Sequence, residues 1–257
     1  MNFVVDIGNS NTVIGLYKGD VILKRWRIAT ERSQTVDDLT SKIHSLMSFS
    51  GISVSDIFQC IISSVVPTWN HAWERFSIEF LNRQPLFITS KINSGIELSV
   101  DNPSEVGADR IANAVAASEK FKQGAFIVDS GTAITLDIIT PEKKYIGGAI
   151  MPGIIISMEA LSNETAKLPR FELTMPEKPI GTNTLEGLKS GVFYGFVGMI
   201  DRVIEESLAQ IDFKPEIIAT GGLAGAITTG SKYISQFERD LTLEGLNYIA
   251  ARYRGEI

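Results

Sequence analysis

The feature that most constrains this chain is a short unit that occurs twice, about half a chain apart. The first copy, at residues 3–12, is FVVDIGNSNT, in which an apolar run ends in Asp6 and Gly8 follows. The second copy, at residues 126–135, is FIVDSGTAIT, with Asp129 and Gly131 in the same places. A repeat of half the length of a 257-residue chain indicates a duplicated domain, because solenoid repeats are far shorter.

The composition of the repeated unit suggests a nucleotide site. A carboxylate at a strand end, beside a glycine turn, can hold a hydrated cation where backbone N–H groups meet phosphate oxygens. A single copy is more typical of a plain strand–turn–strand hairpin, but two copies with matching flanks favour the nucleotide interpretation. Further glycine turns follow apolar runs at residues 147–148 and 221–222, so we expect a nucleotide cleft between two related domains. The chain has neither the P-loop nor the Rossmann glycine fingerprint.

Charge and cysteine content limit the partners and the compartment. The formal charge of −6 and the pI of about 5.1, without a Lys/Arg cluster, argue against a nucleic acid or an anionic membrane as partner. Cys60 is the only cysteine, so an internal disulfide is impossible and a reducing compartment fits. The chain starts directly with a strand-like segment, and its apolar runs are too short to span a bilayer. We therefore expect a cytoplasmic protein.

Hydrophobic periodicity predicts an α/β fold with two similar halves. Each half begins with three strands and continues with helices and further strands, which indicates mixed sheets covered by helices. Thr35 is the expected N-cap of a helix over residues 36–49. A helix from about residue 104 to 122 should join the halves, and a final helix should occupy residues 241–253. We place the domain boundary between residues 117 and 118, giving domains 1–117 and 118–257.

The longest predicted helix, residues 183–210, carries an unusual row of glycines. The row consists of Gly187, Gly191, Gly195 and Gly198, which lie on one face of the helix. Each glycine costs about 1 kcal/mol relative to alanine inside a helix. The row therefore predicts close approach of another helix, within the domain or across a dimer.

Several side chains are candidates for chemistry. At the start of the joining helix, Asp109 could act as a general base and Arg110 as an anion clamp, or the two could form an ordinary surface charge pair. Asp129 is a candidate metal ligand. Asp137 and Glu159 could be ligands too, but we interpret them as a strand-end residue and a solvated helix position. His44 and His71 are expected on distant helices, and Cys60 is expected to be a small buried hydrophobe, which argues against a histidine-based metal site or a triad.

Taken together, these residues resemble the type III pantothenate kinases, which belong to the superfamily of acetate and sugar kinases, heat-shock ATPases and actin. The most specific mark is Gly107-Ala108-Asp109-Arg110 with its Asn102-Pro103 lead-in. Further marks lie in residues 6–12, 113, 129–133, 147–153, 183–184 and 220–222. The resemblance covers essentially the whole chain and implies two duplicated ribonuclease H-like domains with mixed five-stranded sheets.

The resemblance also implies an activity and its requirements. ATP would phosphorylate the primary hydroxyl of pantothenate to give 4'-phosphopantothenate, the first step of coenzyme A biosynthesis. Mg²⁺ and a monovalent cation, K⁺ or NH₄⁺, would be cofactors, and the protein would be a homodimer. Positioning and charge neutralisation supply most of the catalysis in such phosphoryl transfers.

The resemblance assigns roles residue by residue. Asp6 would organise Mg²⁺, Asp129 would bind the monovalent cation, and Asp109 would accept the hydroxyl proton. ATP would contact the turn and the second repeat through Gly8, Asn9, Ser10, Asn11, Thr12 and Thr132. Pantothenate would contact Val100, Gly107, Ala108, Arg110 and Thr184. Many relatives have a tyrosine where this chain has Val100, so that contact departs from the family pattern.

Two other functions compete with this interpretation. The family has accessory relatives that act as transcriptional regulators, but the presence of Asp6, Asp109, Arg110 and Asp129 favours an enzyme. A kinase or phosphatase of the same superfamily acting on a sugar or a polyphosphate is the other alternative. The Gly107–Arg110 segment argues against it.

Overall fold

The structure is a computed structural model that describes residues 1–31, 34–164 and 168–256. Its strands are β1 (Asn2–Ile7), β2 (Asn11–Lys18), β3 (Val21–Ala29), β4 (Gln59–Ser64), β5 (Pro85–Phe87), β6 (Glu97–Leu98), β7 (Ala125–Ser130), β8 (Ala133–Ile139), β9 (Lys144–Pro152), β10 (Glu216–Thr220) and β11 (Gln236–Phe237). Its α-helices are α1 (Val36–Phe49), α2 (Pro67–Glu79), α3 (Ala108–Lys120), α4 (Ile154–Asn163), α5 (Thr184–Leu208), α6 (Ala224–Thr228) and α7 (Leu241–Tyr253).

The chain forms two compact units with the same strand topology. The first unit contains residues up to Glu119 and the C-terminal segment from Asp240, and the second contains Lys120–Arg239. In the first unit the strand order is β3-β2-β1-β4-β5, and in the second the strands follow the matching order β9-β8-β7-β10-β11. In each, the first three strands in sequence are antiparallel neighbours, and the first strand is parallel to the fourth. The predicted duplication of a mixed sheet is confirmed.

The two faces of the first sheet are covered by different helices. Phe3, Val5 and Ile7 pack in a core with the buried side chains of α1 and α2. Val4 packs in a separate core with α3 and α7. Because successive side chains of a strand point to opposite faces, Asp6 lies on the same face as Val4. The first repeated carboxylate is therefore on the sheet face that α3 covers.

The helix starts depend on local hydrogen bonds. Thr35 caps α1 as predicted, since its hydroxyl accepts the Asp38 N–H at 3.2 Å and the Asp38 carboxylate accepts the Thr35 N–H at 3.1 Å. The joining helix begins at Ala108, later than predicted, because Asn102 caps a separate 3-10 turn over Pro103–Glu105. Val106 then has extended backbone, with ψ 121°, which interrupts the helical path before α3.

The last helix belongs to the first unit, whereas the sequence placed residues 240–257 in the second domain. A β-carbon added at Gly245 would lie 1.9 Å from the Ala112 carbonyl oxygen, so α7 and α3 are in close contact. The hydroxyl of Thr242 donates to the Asn113 side chain at 2.7 Å. This packing explains the difference from the predicted boundary, because α7 covers the apolar face that α3 and the first sheet expose.

Helix α5 buries one side in the second unit and exposes its glycine row. Phe193, Val197, Ile200 and Ile204 are buried in the core of this unit. A β-carbon added at any of the four glycines would meet no atom within 4 Å among the described residues. The part of the chain that the structure describes therefore places no helix against the row. Over the same residues, no helix has the combination of length and apolarity that crossing a bilayer requires.

Candidate active site

The first repeated carboxylate is held by the neighbouring strand. Asp6 is the penultimate residue of β1 and is paired with Ser63 of the parallel strand β4. The hydroxyl of Ser63, which is fully buried, donates to Asp6 Oδ1 at 3.0 Å. Hydrogen bonds to ionised groups are stronger than those between neutral groups, so this contact fixes the orientation of the carboxylate.

The turn after β1 is closed by its own backbone. The Gly8 N–H donates to the Asn11 carbonyl at 3.0 Å, and a β-carbon added at Gly8 would lie 2.9 Å from the same oxygen. Asn9 and Ser10 are exposed at its tip, where a ligand can reach them. Thr12 is fully buried, and its hydroxyl lies 2.9 Å from the hydroxyl of Thr30. Thr12 therefore supports the turn from beneath through its side chain.

The second turn is built on the same plan with one residue fewer between the paired strands. The pair Ile7↔Thr12 encloses residues 8–11, whereas the pair Ser130↔Ile134 encloses residues 131–133. Thr132 is exposed, as a contact to ATP requires.

The second repeated carboxylate is close to a glycine at the end of β10. Gly221 has φ +94°, and a β-carbon there would lie 2.5 Å from Asp129 Oδ1. Only glycine satisfies both the backbone angle and the close approach. The Thr220-Gly221 turn and Asp129 thus form one local arrangement in the second unit.

The proposed base lies in the first turn of α3. Asp109 Oδ1 accepts the Arg110 N–H at 2.8 Å. A β-carbon added at Gly107 would lie only 2.5 Å from this oxygen, so glycine is what allows the carboxylate to fold back over the helix start. An anionic side chain is stabilised there by the helix dipole. Asp109 and Arg110 are both partly buried, unlike an ordinary exposed charge pair.

The residues expected to contact pantothenate differ in burial, and therefore in which of their atoms a ligand can reach. Ala108 is 8% exposed and packs into the core of the first unit, so its main chain is the part that can meet a ligand. Val100 is partly buried and Thr184 is exposed. Thr184 is the first residue of α5, which Asn183 caps by accepting the Glu186 N–H at 3.0 Å. The pKa of Glu186 is lowered because the backbone and hydroxyl of Thr182, and then the Asn183 side chain, hydrogen-bond to its carboxylate.

Of the other sequence candidates, Asp137 and Cys60 are buried structural residues and Glu159 is a solvated surface position. Asp137 is fully buried inside β8 rather than at a strand end, and its carboxylate accepts hydrogen bonds from the hydroxyls of Tyr145, at 2.6 Å, and Thr135, at 3.1 Å. Glu159 is exposed on α4, as predicted. Cys60 is fully buried, as predicted, and burial raises the pKa of its thiol to about 12.

Residues 1–31, 34–164 and 168–256 contain no group of three or more His, Cys, Asp and Glu side chains that could hold a metal ion. His44 and His71 are exposed on α1 and α2. A site that takes most of its metal ligands from the protein is thus not found in this part of the chain.

The matching sheets define the class of protein: a two-unit α/β protein with ribonuclease H-like topology. Its fold resembles a structure described as a Baf family transcriptional activator from Campylobacter jejuni, with TM-score 0.63, 19% identity and coverage of 99% of this chain and 100% of that one. It also resembles component A of (R)-2-hydroxyglutaryl-CoA dehydratase from Acidaminococcus fermentans, with TM-score 0.57, 13% identity and coverage of 99% and 98%. At these identities the likeness concerns the fold alone.

Sequence similarity identifies the family within this class. The sequence profile of the family described as type III pantothenate kinase matches residues 2–206. A protein named type III pantothenate kinase from Geotalea daltonii is 43% identical over 254 residues, which cover 99% of each chain. The chain belongs to the type III pantothenate kinase family. It is accordingly an enzyme, a kinase that uses ATP, and the transcriptional-regulator alternative is not favoured.

Proposed function

We propose that this chain phosphorylates pantothenate with ATP to give 4'-phosphopantothenate, the first step of coenzyme A biosynthesis, in the cytoplasm. The observation that carries the proposal is the Gly107–Arg110 segment at the start of α3. There the Asp109 carboxylate is folded back over Gly107, and its Oδ1 accepts the backbone N–H of the adjacent Arg110. A proton acceptor and an anion clamp are what a kinase for a carboxylate-bearing alcohol requires.

The turn after β1 binds the phosphates of ATP. Its exposed tip, Asn9 and Ser10, offers backbone and side-chain groups to the phosphate oxygens. Asp6, oriented by Ser63, holds Mg²⁺. Mg²⁺ usually takes one or two carboxylates and completes its shell with water and phosphate oxygens, so a single fixed carboxylate fits this ion. When bound, Mg²⁺ neutralises charge that develops on the phosphates.

Asp109 accepts the proton of the pantothenate hydroxyl as the phosphoryl group is transferred. Its Oδ1 is held by the Arg110 N–H, so the carboxylate is positioned before substrate binds. Arg110 binds the carboxylate of pantothenate. The main chain of Gly107 and Ala108 and the exposed hydroxyl of Thr184 bind its polar groups, and Val100 supplies an apolar contact.

Asp129 and Thr132 serve the nucleotide from the second repeat. Asp129 binds a monovalent cation, K⁺ or NH₄⁺, and Thr132 contacts ATP. A β-carbon added at Gly221 would lie 2.5 Å from Asp129 Oδ1 and 2.6 Å from the Ser130 carbonyl oxygen, so a carboxylate and a backbone oxygen lie close together there. Backbone oxygens are common ligands of such cations, which supports this role. Replacement of K⁺ and NH₄⁺ by Na⁺ is expected to abolish activity, and equal activity in Na⁺ would contradict the cation site.

The enzyme is a homodimer that uses the glycine row of α5. The row is exposed, and Leu185 and Tyr194 on the same helix are 40% and 42% exposed. A second copy of the chain would bury this surface and offset the cost of the glycines. Light scattering should give a dimer for the wild type and a monomer for Gly191→Arg. A monomeric wild type would refute the dimer.

Product analysis tests the activity. Purified protein is incubated with ATP, Mg²⁺ and K⁺, together with pantothenate, a hexose, acetate or no acceptor, and the products are identified by mass spectrometry. The proposal predicts 4'-phosphopantothenate and one ADP for each product formed. Phosphorylation of the hexose instead would support the sugar-kinase alternative, and no product with any acceptor would support a binding protein.

A further inference from the structure

Thr30, which follows the edge strand β3, makes three hydrogen bonds to the first turn or to its support. Its hydroxyl donates to the Gly8 carbonyl at 2.8 Å, and its N–H donates to the Ser10 carbonyl at 3.1 Å. Its hydroxyl also lies 2.9 Å from that of Thr12. A hydroxyl has one hydrogen to donate, so Thr12 must be the donor in this last contact.

These bonds decide where the turn directs its carbonyl groups. The carbonyl oxygens of Gly8 and Ser10 accept from Thr30, and that of Asn11 accepts from the Gly8 N–H. A carbonyl oxygen carries partial negative charge and would repel a phosphate. Three of these oxygens already accept hydrogen bonds from donors within the unit, so their partial negative charge is directed at those donors, as an anion-binding turn requires.

The second repeat supports its turn in a different way. Ala29 pairs with Asn11 and Pro152 pairs with Ala133, so Gly153 is the counterpart of Thr30. A β-carbon added at Gly153 would lie 1.9 Å from the Thr132 carbonyl oxygen. In the second repeat the close approach of the backbone leaves no room for a side chain at this position. In the first repeat, whose turn is one residue longer, the backbone of Thr30 also bonds to the turn, and its side chain adds the hydrogen bond to the Gly8 carbonyl.

The geometry points to Thr30 as a positioning residue that shapes the turn of residues 8–11 for the polyphosphate of ATP. Thr30 does not itself need to touch the nucleotide. This inference rests on the proposed function, since it assumes that the turn binds phosphate. It predicts that the hydroxyl of Thr30 matters for ATP and not for pantothenate.

The test compares Thr30→Val with Thr30→Ser. Valine keeps the shape of threonine and the backbone bond to Ser10, but removes the hydroxyl and leaves the buried Thr12 hydroxyl without its acceptor. The Kd for ATP in the presence of Mg²⁺, measured by calorimetry, and the KM for ATP should both rise about tenfold. The KM for pantothenate should stay within about twofold of the wild-type value. Thr30→Ser, which keeps the hydroxyl, should bind ATP nearly as the wild type does.

Ser77→Ala is the matched control, because it also removes a buried hydroxyl that donates to a backbone carbonyl, that of Arg83 at 2.7 Å. It should lower the melting temperature, but it should not raise the KM for ATP relative to the KM for pantothenate. The inference is overturned if Thr30→Val binds ATP as the wild type does, if both KM values rise equally, or if Thr30→Ser is as weak as Thr30→Val. A wild type that binds ATP but lacks pantothenate-dependent turnover refutes the proposed function alone. A wild type that binds no ATP refutes both.

Discussion

Replacing Gly107 with alanine tests whether the position of the Asp109 carboxylate controls catalysis. The added β-carbon would lie 2.5 Å from Asp109 Oδ1, and ordinary contact begins at 3.4 Å. The carboxylate oxygen must therefore move by about 0.9 Å, the difference of these two distances. That movement breaks or lengthens the 2.8 Å hydrogen bond from the Arg110 N–H.

The expected effect is on rate rather than on folding. The displaced atom is the end of a side chain, and Gly107 does not have the positive φ that would strain an alanine. A misplacement of about 1 Å in a catalytic group costs on the order of 100-fold in rate, or about 2.7 kcal/mol. We therefore expect Gly107→Ala to lower kcat about 100-fold with a melting temperature close to that of the wild type.

The assay is steady-state ADP release with pantothenate, together with thermal unfolding. Gly225→Ala is the control, because a β-carbon at this α6 glycine would meet no atom within 4 Å among the described residues. It should keep full activity and gain up to about 1 kcal/mol of stability. A Gly107→Ala enzyme within about twofold of wild-type kcat would refute the link between this contact and catalysis.

Three further predictions follow from single contacts. Ser63→Ala should lower kcat/KM for ATP at least about tenfold, because Asp6 loses a charge-assisted hydrogen bond; an unchanged value would contradict its role. Asn183→Ala should lower the free energy of unfolding in urea by about 1 kcal/mol and raise the KM for pantothenate, since the turn bearing Thr184 loses its cap. Cys60, with its thiol pKa raised to about 12, should resist a thiol reagent at pH 8 until the protein unfolds; rapid reaction of the native protein would contradict its burial.

Local patterns predicted the duplicated sheets well. Asp6 and Asp129 are both penultimate residues of the first strand of their unit, and both are followed by a glycine turn. The apolar run and the glycine carry this information within a few residues of sequence. The cap of α1 at Thr35 was predicted for the same reason, since both partners lie within one helical turn.

Contacts between distant segments could not be predicted in this way. Thr30 meets Gly8 across 22 residues, and a threonine after an edge strand has no distinctive pattern. The sequence placed Asp137 at a strand end. Its buried structural role could not be predicted, because its hydrogen-bond partner Tyr145 lies on the next strand. Helix α7 has an apolar face, but such a face does not specify which sheet it covers. Each of these contacts depends on the assembled unit.

The most direct test of the central claim is the rate of pantothenate phosphorylation by Asp109→Asn, measured in a single turnover with saturating ATP and alongside the Kd for ATP. If Asp109 is the base, the rate falls by about 10²–10⁴-fold while the Kd for ATP stays close to the wild-type value. A variant that phosphorylates pantothenate at close to the wild-type rate would contradict the account, because the carboxylate at the start of α3 would then have no part in the chemistry.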